Sequence, residues 1–239
     1  MTNSFQEFHC RRCGRLAANP GLPLHLCPSA PARKAELRRA VSESLACMSP
    51  LVRRQKSRLI ARHVLALDAF QKASVIMAYV GLEMEVDPWP IVRAAWAAGK
   101  TVALPRIDPP LEDRRIHRMH DRHILPFVLE PQSIENPADH PGLRPDLCGI
   151  LEPGPGAAQI SAADIDLIFV PCIAFDRLGF RMGKGGGFYD RFLTRPDVAA
   201  VPVGLAFSEQ VFSALPRCPY DRPVSLLVTE SGLADFRKT

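Results

Sequence analysis

Ten consecutive positions hold Arg181, Lys184, Tyr189 and Asp190, that is two fixed cations, a phenolic hydroxyl and a carboxylate, around Gly183, Gly185, Gly186 and Gly187. This combination suits phosphate chemistry. Glycines let a backbone come close to phosphate oxygens, and loop N–H groups beside fixed cations favour negative charge. Counting Gly179, five of the fifteen glycines fall between positions 179 and 187. The spacing is not that of a P-loop, because no Gly-Lys-Ser/Thr closes it. Nor does it follow the dinucleotide pattern Gly-x-Gly-x-x-Gly with an acidic residue about 20 positions on. The plain alternative is a glycine-rich turn without a ligand, and the flanking charges weigh against it.

The elements needed to position such a loop are legible on either side of it. Asp166-Leu-Ile-Phe-Val-Pro-Cys-Ile-Ala174 is apolar and β-branched, as a buried strand is, and Phe188-Tyr-Asp-Arg-Phe-Leu193 reads as a helix start. Upstream, Ser74 to Val80 reads as a strand and Asp87-Pro88 as an N-cap and first-turn pair. A helix carrying Ile91, Val92, Ala95 and Trp96 follows, stopped by Gly99, and Lys100 to Pro105 reads as a second strand. Strand, helix, strand over about thirty residues implies a parallel pair. Glu83 and Glu85 fall at the strand-to-helix turn, where open α/β sheets bind ligands, and Glu83 is expected on the surface.

Before this unit, Leu37, Val41 and Leu45 predict a helix from Ala32, and Ser49-Pro50 predicts the start of another with Leu51, Leu59, Val64 and Leu67 as its apolar stripe. After the loop, Ala200 to Phe207 and Val224 to Thr229 read as closing strands, with a short helix from Glu209 to Leu215 between them. His117, His120, His123 and His140 fit no metal-ligand spacing and are expected in exposed loops. The fold class is therefore α/β: one three-layer domain from residue 32 to the end, with helices on both faces of a mostly parallel sheet.

The loop motif resembles that of the 5-formyltetrahydrofolate cyclo-ligase family, the methenyltetrahydrofolate synthetases. The family hallmark, Asp-x-x-Gly-x-Arg-Leu-Gly-x-Gly-Gly-Gly-Tyr-Tyr-Asp-Arg, is met by Asp176, Gly179, Arg181, Gly183, Gly185 to Gly187, Tyr189, Asp190 and Arg191. Met182 and Phe188 replace Leu and Tyr and keep the apolar bulk. Lys34-Ala-Glu-Leu-Arg38 reproduces the family's opening nucleotide-site motif, and Glu85-Val-Asp87 its folate turn, with Leu82 at the Met position and Pro88 in place of Thr. Gly149-Ile-Leu-Glu-Pro153 matches an architectural motif, and the resemblance implies a short hairpin formed by Ile116 to Met119 and Ile124 to Leu129. In the tail, Asp221, Thr229 and Glu230 match, whereas Tyr220 and Ser225 replace a His and an Asp.

The resemblance implies ATP-dependent closure of 5-formyltetrahydrofolate to 5,10-methenyltetrahydrofolate. It assigns nucleotide contact to Lys34, Arg38 and residues 181 to 189, with Arg181 and Lys184 as the catalytic cations. It assigns folate contact to Leu82 and Glu85, and Mg²⁺ to Asp190, a second carboxylate being in doubt because of Ser225. The alternative is a nucleotide-binding relative without catalysis, to which Pro88 and Ser225 would point. A sugar-phosphate or acyl-transfer enzyme would need a carboxylate nucleophile or base that does not stand out.

Composition narrows the remaining classes. At 239 residues and 47% hydrophobic the chain can bury one domain plus appendages. No run approaches 18 apolar residues, so no membrane span is expected, and no secretory signal stands at the start. Seven scattered cysteines do not form a disulfide framework, which predicts a reduced, cytoplasmic protein. The net charge of +5 is uneven, with ten Lys/Arg between Arg33 and Lys72. No aromatic interleaving accompanies them, so solvated helices and a small polyanionic substrate are expected rather than nucleic acid. The protein is expected to be a monomer. Residues 1–31 carry Cys10, Cys13, His25 and Cys27, a conceivable zinc set without a familiar spacing, and are expected to be a disordered extension.

Overall fold

The computed structural model describes residues 30–108, 122–146 and 148–237. The Cys10–Cys27 set, His117, His120 and the first half of the expected hairpin lie outside these residues. In chain order the elements are α1 (Ala30–Ala46), α2 (Pro50–Leu65), α3 (Asp68–Lys72), β1 (Val75–Met77), α4 (Trp89–Ala97), β2 (Thr101–Asp108), β3 (His123–Val128), β4 (Leu143–Pro145) and β5 (Leu151–Pro153). Then come β6 (Leu167–Val170), β7 (Ala174–Asp176), β8 (Arg181–Met182), α5 (Phe188–Leu193), β9 (Val201–Leu205), β10 (Val211–Phe212), β11 (Leu226–Thr229) and β12 (Gly232–Asp235).

The main sheet has seven strands in the order β12-β11-β9-β6-β1-β2-β3, with β11, β9, β6, β1 and β2 parallel and antiparallel strands at both edges. Side chains alternate across it with the strand period of two. Ile76, Val102, Leu167, Phe169 and Val203 pack on the side that holds α1, α2 and α4. Met77, Ala103, Ile168, Val170 and Leu227 pack on the side of Phe192 from α5. Both faces are covered, so the central strands are apolar throughout, as parallel strands must be.

Local chemistry explains the helix ends. Ser49 Oγ accepts the Val52 N–H at 3.3 Å and starts α2. Asp87 Oδ1 accepts the Trp89 N–H at 2.9 Å at the start of α4, and burial pushes that carboxyl up despite the N–H bond that lowers it. Several expectations fail for tertiary reasons. Leu51 and Leu59 are exposed, and the buried stripe of α2 is instead Arg53, Ser57, Ile60, Ala61 and Val64. Arg53 is accepted there because its guanidinium donates to the Leu45 and Met48 carbonyls at 3.1 and 2.6 Å. The stretch 209–215 does not form a helix beyond a single 3-10 turn; β10 pairs with β7 instead. His123 is exposed, but His140 is buried, with Nε2 2.8 Å from the Glu130 carbonyl and Nδ1 accepting the Gly142 N–H. Ile124 to Val128 is a strand as expected, but it pairs with β2.

Candidate active site

In this strand order β1 has β2 on one side and β6 on the other, so the order in which strands are added reverses between the parallel strands β1 and β6. Ligands of open α/β sheets bind at the carboxyl ends of strands at such a point. A cavity of about 630 Å³ lies there. The turn after β1 supplies Leu82 and Glu85, and the run after β6 supplies Pro171, Cys172 and the glycine loop. All fourteen residues expected at the site line this one cavity: Lys34, Arg38, Leu82, Glu85, Arg181, Met182, Gly183, Lys184, Gly185, Gly186, Gly187, Phe188, Tyr189 and Asp190. Pro88 and Ser225, the departures from the family pattern, are not among the lining residues.

The loop is presented by the β7–β8 hairpin, which a single carboxylate organises. Asp176 is fully buried; its Oδ1 accepts the Leu178 and Phe180 N–H groups at 2.9 and 3.0 Å. Its Oδ2 accepts from Arg217 Nη2 at 2.7 Å and from the Leu215 N–H at 3.3 Å. A buried carboxylate with this many donors is fully compensated and holds the hairpin in one geometry. The loop beyond it turns through positive φ at Gly185 (112°) and Gly187 (65°), a backbone that side-chain-bearing residues seldom adopt. α5 then starts directly at Phe188 but is only six residues long, so its dipole is a minor term beside the loop itself.

The loop's backbone carbonyls and N–H groups are treated differently. Arg38 Nε donates to the Gly183 carbonyl at 2.8 Å and Arg191 Nη1 to the Gly186 carbonyl at 2.9 Å. Among the described residues, by contrast, no protein oxygen accepts from the N–H groups of residues 183 to 187. Lys184 and Gly185 are exposed and Gly183, Gly186 and Gly187 half-buried, so in the free protein these donors face water, and a run of them lining a cavity is available to an anion.

The charged side chains are distributed in pairs. Arg181 is expected as a free loop cation and is instead buried, 2.8 Å from Asp190 Oδ1, which also accepts the Arg222 N–H at 3.0 Å. Lys34 Nζ lies 2.6 Å from Asp221 Oδ2, which also takes the Cys218 N–H at 2.7 Å. Lys184 reaches across the cavity to Glu85 Oε1 at 3.0 Å, while Glu85 Oε2 accepts the Leu82 N–H at 3.0 Å. Glu83, expected on the surface, is exposed and pairs with Arg53 at 3.4 Å. Tyr189 has a buried hydroxyl with no hydrogen-bond partner among the described residues; burial first, and Glu85 second, push its pKa well up, so it stays protonated. Burial likewise pushes the Cys172 thiol up, which disfavours a thiolate nucleophile.

Asp190 and Asp221 both line the cavity, and each leaves one carboxylate oxygen without a protein hydrogen bond among the described residues. That donor pair suits a hard cation, although no group of three ligating side chains is present among the described residues. Ser225 does not line the cavity, and its backbone bonds Pro202 and Phe236 in the sheet. Sequence reasoning missed Asp221 as a cavity residue, although the tail motif had singled it out. It also missed Tyr79, Ile107, Ile124 and Ile150, whose apolar periodicity carries no hint of which end of a strand meets the cavity.

Comparison with known proteins bears on this geometry. The model of the 5-formyltetrahydrofolate cyclo-ligase family matches residues 30–230. The chain is 27% identical over 194 residues to the 5-formyltetrahydrofolate cyclo-ligase of Haemophilus influenzae, covering 80% of this chain and 95% of that protein. It is 26% identical to the Mus musculus protein of the same name, over 84% of this chain and 95% of the other. Among solved structures, the 5,10-methenyltetrahydrofolate synthetase of Aquifex aeolicus superposes with a TM-score of 0.67 at 33% identity, covering 85% of this chain and 93% of that one.

Proposed function

The chain belongs to the 5-formyltetrahydrofolate cyclo-ligase family and is a ligase, and on that footing we propose that ATP drives its ring closure through the cavity described above. The product of the family reaction is a methenyltetrahydrofolate. The observation that carries the ATP-dependent reading is the run of N–H groups at 183–187, which have no protein acceptor among the described residues.

The chemistry needs such a cradle. An N-formyl group is an amide, too poor an electrophile for the N10 amine. Transfer of the γ-phosphoryl group to the formyl oxygen makes a P–O bond, breaks the γ-phosphoryl bond to ADP and leaves an iminium phosphate. N10 then forms the new C–N bond, loses its proton, and phosphate departs with the former formyl oxygen. There is little covalent work for the protein in this sequence, so positioning and charge neutralisation dominate.

In this reading the N–H groups of 183–187 hold phosphate oxygens, with Lys184 beside them. Arg181 acts from below the loop, where its pair with Asp190 fixes it. Lys34 and Arg38 bring positive charge from α1, and Arg38 also fixes the Gly183 carbonyl. Leu82 and Glu85 receive the pterin, whose N–H donors suit a carboxylate acceptor. Asp190, with Asp221 as the second carboxylate lining the cavity, would hold Mg²⁺, which when bound neutralises phosphate charge. The Tyr189 hydroxyl, buried and unpartnered, is available as a donor to the ligand.

The test is a steady-state assay following the absorbance of methenyltetrahydrofolate from 5-formyltetrahydrofolate, with and without ATP and Mg²⁺. Product formation that requires both is expected. Folate binding without product under any nucleotide condition would favour the non-catalytic alternative.

A further inference from the structure

Four basic side chains face the glycine-loop end of the cavity, and three of them are already committed. Arg181 is buried against Asp190, Lys34 is paired with Asp221, and Arg38 is bonded to the Gly183 carbonyl. Lys184 differs. Its side chain is 54% exposed, and its partner stands on the other wall, where Glu85 is 14% exposed. Glu85 is the residue read above as the pterin acceptor, so one ion pair ties the phosphate wall to the folate wall.

We propose that Lys184 and Glu85 form a latch that couples the two ligands: phosphate at the glycine loop draws Lys184 away and frees Glu85 for the folate. This rests on the assignment of nucleotide to the loop and folate to the Glu85 turn. The pair is weak enough to switch, since an ammonium this exposed gains little from one carboxylate. A polyphosphate beside five unspent N–H groups competes for that ammonium through charge-assisted bonds. Glu85 is then left with only the Leu82 N–H on Oε2, and Oε1 opens to a donor from the ligand. Coupling is reciprocal, so folate on Glu85 must release Lys184 towards the phosphates by the same factor. Each substrate thereby readies the site for the other, and the cavity engages a full pair in preference to either alone.

The test measures 5-formyltetrahydrofolate affinity by titration calorimetry on the whole protein, with and without a non-hydrolysable ATP analogue and Mg²⁺. In the unaltered protein the analogue should tighten folate binding about fivefold, near the lower end of typical coupling between sites. In Lys184→Met folate alone should bind more tightly than in the unaltered protein, and the factor should fall to about one; Lys184→Arg should restore it. Glu85→Gln breaks the latch from the other wall, so the analogue alone should bind that variant more tightly. An unchanged coupling factor in Lys184→Met, or an analogue affinity unmoved by Glu85→Gln, overturns the latch while leaving the site assignment standing. An unaltered protein that binds no folate in either condition refutes the assignment itself, and the latch with it.

Discussion

Two clusters of charge in this molecule use their polar groups in opposite ways. Lys56 of α2 pairs with Glu209 and with Glu230, which lies 2.8 Å away at the β11–β12 turn, and Glu230 also accepts the Ser208 N–H at 3.0 Å. That cluster is closed: its cation pairs with both carboxylates and one of them also takes a backbone donor, so it staples α2 to the β11–β12 turn and to the 3-10 turn at Ser208–Gln210. At the glycine loop the carbonyls are gripped by Arg38 and Arg191, yet the N–H groups of 183–187 have no protein acceptor among the described residues. What separates a clamp from a binding site is whether donors remain unspent.

The contrast is sharpest at Arg181, which belongs to both kinds of arrangement, being a buried pair inside the binding site. Arg181→Ala leaves Asp190 partly exposed at 22% and still bonded to the Arg222 N–H, so the loss should lie at the lower end of the about 3–5 kcal/mol that removing one partner of a buried pair costs. Denaturant unfolding should show a loss of that order together with lost turnover; an unchanged midpoint would mean that Arg181 is a loop cation after all.

Lys184→Ala should instead separate activity from stability. The side chain is half exposed, so the unfolding midpoint should hardly move. Loss of one charge-assisted phosphate contact should lower kcat/KM for ATP by about 1.5–3 kcal/mol, roughly ten- to a hundredfold. Full activity in this variant would break the phosphate-cradle side of the comparison.

The smallest effect is expected in the closed cluster. Burial pushes Glu230 up, but the Lys56 and backbone hydrogen bonds outweigh it and hold the carboxyl below the usual glutamate range. A depressed folded pKa gives stability that is present above the unfolded value, about 4.3, and lost as pH falls through the folded one. Melting temperature should therefore drop more steeply on acidification below about pH 4 in the unaltered protein than in Glu230→Gln. At neutral pH the variant should lose about 1 kcal/mol and keep its turnover. A turnover defect there would erase the distinction between clamp and site.

The sequence speaks clearly where local chemistry decides. The Ser49 cap, the Gly99 stop with its φ of 71°, and the strand–helix–strand unit from residue 74 to 105 all follow from neighbours a few positions apart. The whole expected site falls on one cavity because the motifs are contiguous and strand ends converge. What stays hidden depends on partners distant in the chain. β10 takes a strand form because β7, some 35 residues earlier, offers it an edge, as the register Val211 to Phe175 records. Leu51 and Leu59 share an apolar type with Ile60, but only tertiary packing says which of them faces the core. Arg181 reads as a free cation until Asp190 is seen 2.8 Å away. β12 closes the sheet edge without any period-two signal strong enough to predict it.

The central claim is that the N–H groups of residues 183–187 are unspent so that they can hold phosphate. It is tested most directly by amide NMR of the whole protein, titrated with a non-hydrolysable ATP analogue and Mg²⁺. The account predicts that the largest shifts and the greatest gain in protection from solvent exchange fall on residues 183 to 187, while the amides around Lys56, Glu209 and Glu230 stay still. Saturable binding that leaves the 183–187 amides unmoved and perturbs another part of the molecule would contradict it.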